Sequence, residues 1–156
     1  MKTYNILSID EFKKNIGINS RLLGIDPGKK NIGLAICDEK KTVATPFKTL
    51  IKNKFKSLLK EINKIIQENE IKGIVIGNPI NMDGSLGNSA QSSMDFAKNL
   101  SKNVTIPITM WDERLSSEGS FKLTRELGTN ITNRRKNLDK NAAAFILQGA
   151  IDYLSN

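Results

Sequence analysis

One stretch constrains this chain more than any other. Leu22-Leu23-Gly24-Ile25-Asp26 is followed by Pro27-Gly28-Lys29-Lys30, and then Ile32, Leu34 and Ile36 alternate with Gly33, Ala35 and Cys37. The short apolar run reads as a buried strand, the Pro-Gly pair as a turn, and the alternation as a second strand hairpinned to the first. Thr42-Val43-Ala44-Thr45 offers a third strand, ended by Pro46, which has no N–H for a ladder. From about Lys52 to Asn69 the period changes, and Phe55, Leu58, Leu59, Ile62, Ile65 and Ile66 form one helical stripe with lysines opposite. Gly73 to Gly77 reads as a fully buried strand closed by Asn78-Pro79, and the polar, glycine-bearing Ile80–Asn88 as a mobile loop.

The spacing predicts a helix from about Ser89 to Lys102, a strand over Ile106–Trp111 and a helix over Ser116–Leu127 that Gly119 weakens. A second polar loop, Gly128 to Asn137, would hold Arg134-Arg135-Lys136, and a last helix would run from about Leu138 to Leu154. Three adjacent strands followed by helix, strand, helix, strand and helix is an α/β order. It implies a mixed five-stranded sheet flanked by helices in a single domain over residues 21–156. Residues 1–20 read as an N-terminal extension, in which Ser8-Ile9-Asp10-Glu11 has capping-box spacing and Phe12 and Ile16 stand four apart, the pattern of a brief amphipathic helix.

Composition prunes the chemistry. There is no histidine, which excludes a Ser-His triad, a histidine general base and a zinc site built on imidazole. The formal charge of +8 favours a polyanion as partner, with nucleic acid the commonest. A single cysteine, Cys37, excludes an internal disulfide and sits in an apolar run as a small buried hydrophobe. The first twenty residues carry acids and no apolar h-region, and no stretch approaches the roughly 18 apolar residues of a spanning helix. The cytoplasm is the expected location, with no membrane partner.

Sheets of this kind bind at the carboxyl ends of their strands. Asp26 and the pair Asp112-Glu113 fall there, at the ends of two different strands. On the final helix Ala143, Ile146, Leu147, Ala150 and Leu154 keep the spacing of one buried stripe, and Asp139 stands four residues before Ala143 on that stripe. A carboxylate on a buried face needs a compensating charge or hydrogen bonds. It could cap the helix, or converge with the strand-end acids on a cation. Asp112 and Glu113 are neighbours and point to opposite faces of an extended strand, so only one should join Asp26, and periodicity leaves both open. An ion pair with Arg114 or Lys122 is the bland use of that pair. Three carboxylates from distant segments suit an oxygen-only site for Mg²⁺ or Mn²⁺, and two such ions can drive phosphodiester hydrolysis. Lys30, Arg114, Arg134 and Arg135 are candidates to hold neighbouring phosphates, with solvated surface charge as the alternative for each.

Four blocks carry a family resemblance: LLGIDPGKKNIGLAICD from Leu22, IVIGNPINMDGSLGNSA from Ile74, WDERLSS from Trp111 and LDKNAAAFILQ from Leu138. Together they make the chain resemble, in order from Arg21 to its end, the bacterial YqgF family, described both as Holliday-junction resolvases and as pre-16S rRNA nucleases. The resemblance implies an RNase H-like fold, a divalent metal, and nuclease action on the 5′ end of small-subunit ribosomal RNA in ribosome biogenesis. It maps the family's acidic positions onto Asp26, Glu113 and Asp139, with Asp112 beside them, and so favours Glu113 over its neighbour. Residues 1–20 precede the usual start. Related resolvases place an acid after the fourth strand where this chain has Gly77-Asn78-Pro79, which weighs against junction resolution. If junctions were nevertheless the substrate, a homodimer with paired sites would be needed. Two rival classes remain: a lobe of an actin-like or sugar-kinase ATPase, which would require a second lobe, and a nucleic-acid-binding module without turnover.

Overall fold

The computed structural model describes residues 5–79, 83–115 and 131–155, the last helix with its side chains from residue 141 onward. The predicted hairpin is present as β2 (Arg21–Pro27) and β3 (Asn31–Cys37), paired antiparallel with Asp26 opposite Gly33. β1 (Ile6–Leu7) comes before it, and β4 (Ala44–Ile51), β5 (Ile71–Asn78) and β6 (Ile108–Asp112) follow. They form one mixed sheet in the order β1-β6-β5-β2-β3-β4. Parallel pairing of β2 with β5 and of β5 with β6 brings the carboxyl ends of these three strands side by side.

The sheet has six strands where the sequence predicted five, because the leader supplies one. Ile6 and Leu7 lie parallel to Ile108 and Thr109. Asn5 fastens them, its Nδ2 donating to the carbonyls of Val104 at 3.0 Å and Ile106 at 2.6 Å. A two-residue strand has no periodicity to detect, which is why the pattern hid it. The helix after it, α1 (Ile9–Asn15), is the predicted one, with Ser8 Oγ accepting from the Glu11 N–H at 3.3 Å. Phe12 and Ile16 go into the core, so the leader is packed on the same sheet as the rest.

Pro46 does not end the third strand of the hairpin sheet. β4 runs on to Ile51, and the register shifts where Leu34 faces Lys48 and Ala35 faces Pro46, which leaves Phe47 as the extra residue of a bulge. β4 is an edge strand, where a missing N–H leaves no ladder partner stranded.

Two cores flank the sheet. On one side α2 (Phe55–Glu68) and α3 (Asn88–Ser101) cover Leu23, Ile25, Ile32, Leu34, Ile74, Ile76 and Ile108. On the other lies the long helix α4 (Ile131–Leu154), whose Ala143, Ile146, Leu147, Ala150 and Ile151 pack with Leu22, Val75, Trp111 and the α1 residues. The buried Gln148 of α4 ties this helix to the edge strand, accepting from the Ala44 N–H at 2.8 Å and donating to the Thr42 carbonyl at 3.1 Å. Helix α4 begins at Ile131, seven positions earlier than expected, so Arg134 and Arg135 stand on helical backbone and not in the predicted loop. The predicted helix 116–127 lies outside the described residues. Among the described residues no helix is long and apolar enough to cross a membrane.

Candidate active site

The side chains of β2 alternate between the two cores. Leu23 and Ile25 belong to the α2/α3 side, Leu22 to the α4 side, and a Cβ placed on Gly24 would stand 2.7 Å from Leu147 Cβ. Asp26 is two residues beyond Gly24 and therefore faces α4, half-buried at the strand's end. On β6 the same alternation puts Ile108 and Met110 toward α2 and α3, and Trp111 toward α4.

Glu113 opens a single 3-10 turn, Glu113–Leu115, directly after the strand. Its carboxylate lies over Gly77 of β5, where a Cβ would come 3.4 Å from Oε2 and would also collide with Ile146 Cδ1. Gly77 thus leaves the space in which Glu113 sits against α4, on the side that Asp26 faces. Burial pushes the Glu113 carboxyl up to about 7, and the negative charges of Asp26 and Asp112 push in the same direction.

Asp112 turns the other way. Its Oδ1 and Oδ2 each accept from Arg114 Nε at 3.1 Å, and Oδ2 accepts from the guanidinium Nη2 at 2.7 Å. The Arg114 backbone N–H donates to Oδ1 at 3.0 Å as well. This bidentate clamp holds the Asp112 carboxyl below the usual carboxylate range. Asp112 is therefore neutralised locally by the neighbour that the sequence had offered both as its ion-pair partner and as a phosphate ligand. Arg114 also lies near the loop after β5, where Gly84 adopts a positive φ of 87° and a Cβ would meet Nη1 at 3.7 Å.

Asp139 stands on the α4 backbone four residues before the buried Ala143, and its side chain, like those of Arg134 and Arg135, lies outside the described residues. Lys30 is exposed in the β2–β3 turn, and its carbonyl accepts the Lys52 N–H at 2.7 Å. Among the described side chains Asp26 and Glu113 are the pair that could begin a metal site. Their donor set is oxygen alone, and a hard divalent cation between them would relieve the repulsion that raises Glu113. The sequence missed Asn78, at the end of β5 opposite Asp112, whose buried Oδ1 lacks a hydrogen-bond partner among the described residues. Its only signal was polarity at the end of an apolar run.

A family model described as RuvX, Holliday junction resolvase, matches residues 20–153. The chain belongs to the RuvX family. A relative from Pelagibacter ubique, carrying the name "Putative pre-16S rRNA nuclease", is 51% identical over 97% of this chain and 100% of its own length. One from Ruegeria pomeroyi with the same name is 43% identical over 96% of this chain and 97% of its own. Among solved structures, Thermus thermophilus RuvC in complex with a Holliday junction substrate superposes with a TM-score of 0.54 at 11% identity, covering 88% of this chain and 96% of that one. At that identity the match speaks for the fold alone, and the RuvX chain shares the RNase H-like architecture of RuvC.

Proposed function

We propose that this RuvX-family chain is a divalent-metal-dependent nuclease that hydrolyses phosphodiester bonds in precursor 16S rRNA, trimming its 5′ end during ribosome biogenesis. The observation that carries the reading is the half-buried Glu113 on the side that Asp26 faces, the two at strand ends on either side of β5, with the Glu113 carboxyl raised to about 7 by burial and by Asp26. Two acids on one face, one of them buried at that cost, suit a site whose working state contains a cation. Asp26, Glu113 and Asp139 would hold Mg²⁺ or Mn²⁺, with Asp112 kept beside them by Arg114.

When bound, such ions supply an activated water and stabilise the leaving oxygen, in two-metal sites from both sides of the phosphate. The chain's own contribution is to fix the ligands. β2 sets Asp26, the 3-10 turn sets Glu113, and the apolar Ile146 and Trp111 keep bulk water from one flank. Lys30, Arg134 and Arg135 would neutralise flanking phosphates. The ribosomal RNA substrate follows the names of the relatives at 51% and 43% identity.

The family description favours a second substrate, the four-way DNA junction, which the chain would cut as a homodimer. One assay separates the two. Purified protein with Mg²⁺ or Mn²⁺ is given either 5′-extended 16S rRNA or a labelled junction. Cleavage of the RNA at the mature 5′ end is expected, and symmetric nicking of the junction alone would replace the first reading with the second. Cleavage undiminished in Asp26→Asn would sink the mechanism for both.

A further inference from the structure

Immediately beyond Asp26 the chain forms one wall of a concavity. Its volume is about 200 Å³, and it is lined by Pro27, Gly28, Lys29, Lys52, Asn88, Ser89 and Ser92. At roughly 30 Å³ per water, that is space for a cluster of several waters or one tetrahedral anion with its shell. We infer that this pocket binds a backbone phosphate of the substrate strand and so sets where the strand lies relative to the acids. The inference rests on the nuclease reading for the identity of the strand, but its own grounds are the pocket's shape and charge.

The lining is one-sided. Two lysines line it together with three residues whose side chains can donate hydrogen bonds, Asn88, Ser89 and Ser92, and among the described residues lining it there is no carboxylate. Neither Lys29 nor Lys52 is paired with an acid among the described residues, whereas Lys48, further along β4, is bridged to Glu61 at 3.7 Å. The walls are also fixed in place. Gly28 closes the turn against the Asn31 carbonyl, its N–H donating there at 3.0 Å, and the Lys52 N–H donates to the Lys30 carbonyl at 2.7 Å. The backbones carrying both lysines are thus held by the hairpin, and only the side chains need order when an anion enters. A cation pair without acids, set in a concave wall of hydroxyls and an amide, discriminates for phosphate oxygens and against cations.

Position argues for a strand and not a free anion. Lys29 is three residues from Asp26, so their Cα atoms are at most about 11 Å apart. Phosphates follow one another at about 3.4 Å of axial rise along a strand. A phosphate in the pocket therefore belongs to a nucleotide a few positions along the strand from the one whose bond meets Asp26. Lys29 and Lys52 are positioning residues on this account, not catalytic ones.

The test reads binding in EDTA, where no cleavage can occur, by anisotropy of a short fluorescein-labelled RNA. Lys29→Gln/Lys52→Gln should weaken binding about tenfold, and should lower the slope of log affinity against log salt by about 0.7, one single-strand phosphate. Lys60→Gln/Lys64→Gln, on the exposed side of α2, removes the same charge and should change the slope little. Ser92→Glu, which sets a carboxylate in the wall, should weaken binding like the lysine pair, and Lys29→Arg/Lys52→Arg should restore it. Equal losses from the pocket and control pairs, or wild-type protein that binds no RNA, would overturn the inference. So would inorganic phosphate that shifts the Ser89 and Ser92 amide resonances while strand binding ignores the pocket variants, since the anion would then be a free one. RNA bound through the pocket but uncut in Mg²⁺ would instead remove the nuclease reading and leave the pocket standing.

Discussion

The two faces of the sheet bury comparable apolar clusters by different means. Toward α2 and α3 the contacts are made by large aliphatics, with Leu23, Ile25, Ile32, Leu34, Ile62, Ile74 and Ile76 all fully buried. Toward α4 and α1 the sheet presents Gly24, Gly73 and Gly77, and α4 presents Ala143, Ala144 and Ala150. A helix on small residues comes close to the strands, and the close approach is what brings Glu113 against Ile146 and over Gly77. The difference teaches where a charged site can be built: on the face whose backbone-to-backbone packing leaves room at the strand ends, not on the face filled by side chains.

The comparison can be broken most severely on the aliphatic face. Ile62→Ala should lower stability by about 2–5 kcal/mol through the cavity it leaves, read from denaturant unfolding, with nuclease activity of the surviving folded protein intact. A smaller loss that also removed activity would mean the two faces are not separable. On the site face, Asp26→Asn should reduce metal-dependent cleavage by about a hundredfold or more, since even outer-sphere partners of metal ligands are worth 10–100-fold. Its thermal midpoint without metal should hold or rise, because Glu113 loses a negative neighbour.

Gly24→Ala should cost about 1–3 kcal/mol by overpacking, because the new methyl would meet Leu147 Cβ at 2.7 Å and the Ala143 carbonyl at 3.1 Å. A neutral or stabilising result would show that α4 can retreat from the sheet. The last expected effect is one of pH. Glu113 titrates near 7 in the fold against an ordinary value of 4.5. A carboxyl raised on folding favours the native state in its neutral form, so its contribution is complete below about 4.5 and is lost as pH rises through about 7. The difference in melting temperature between Glu113→Gln and the wild type, measured without metal, should therefore grow in favour of the variant across that interval. Added Mg²⁺ should diminish it at pH 8, and a pH-independent difference would remove Glu113 from the corner described.

Much of this arrangement was legible beforehand. The hairpin, α2, β5, α3 and β6 follow from changes of apolar period, and the acids at the ends of β2 and β6 from where those runs stop. The leader's helix was announced by Ser8 and Glu11, but its strand was not, since Ile6 and Leu7 are ordered by pairing with β6, more than a hundred residues distant. Pro46 looked like a terminator because a ladder's need for an N–H is visible locally, whereas the strand's place at the sheet edge is not. Arg134 and Arg135 read as loop because the run from Thr132 to Asn137 is polar throughout and shows no stripe.

The acids divide the same way. The sequence by itself determined that Asp26 ends a buried strand and that Asp112 and Glu113 point apart, because a strand's side chains alternate. It also determined, through the absence of histidine, that any metal site here is built without imidazole. Periodicity left open which of the two neighbours shares the side of Asp26, resemblance favoured Glu113, and only the packing in three dimensions gives the physical reason. Helix α4 covers the face reached by Leu22, Gly24 and Trp111, and Arg114 holds Asp112 on the other. Alternation is a property of one strand, but the identity of a face is a property of what packs on it.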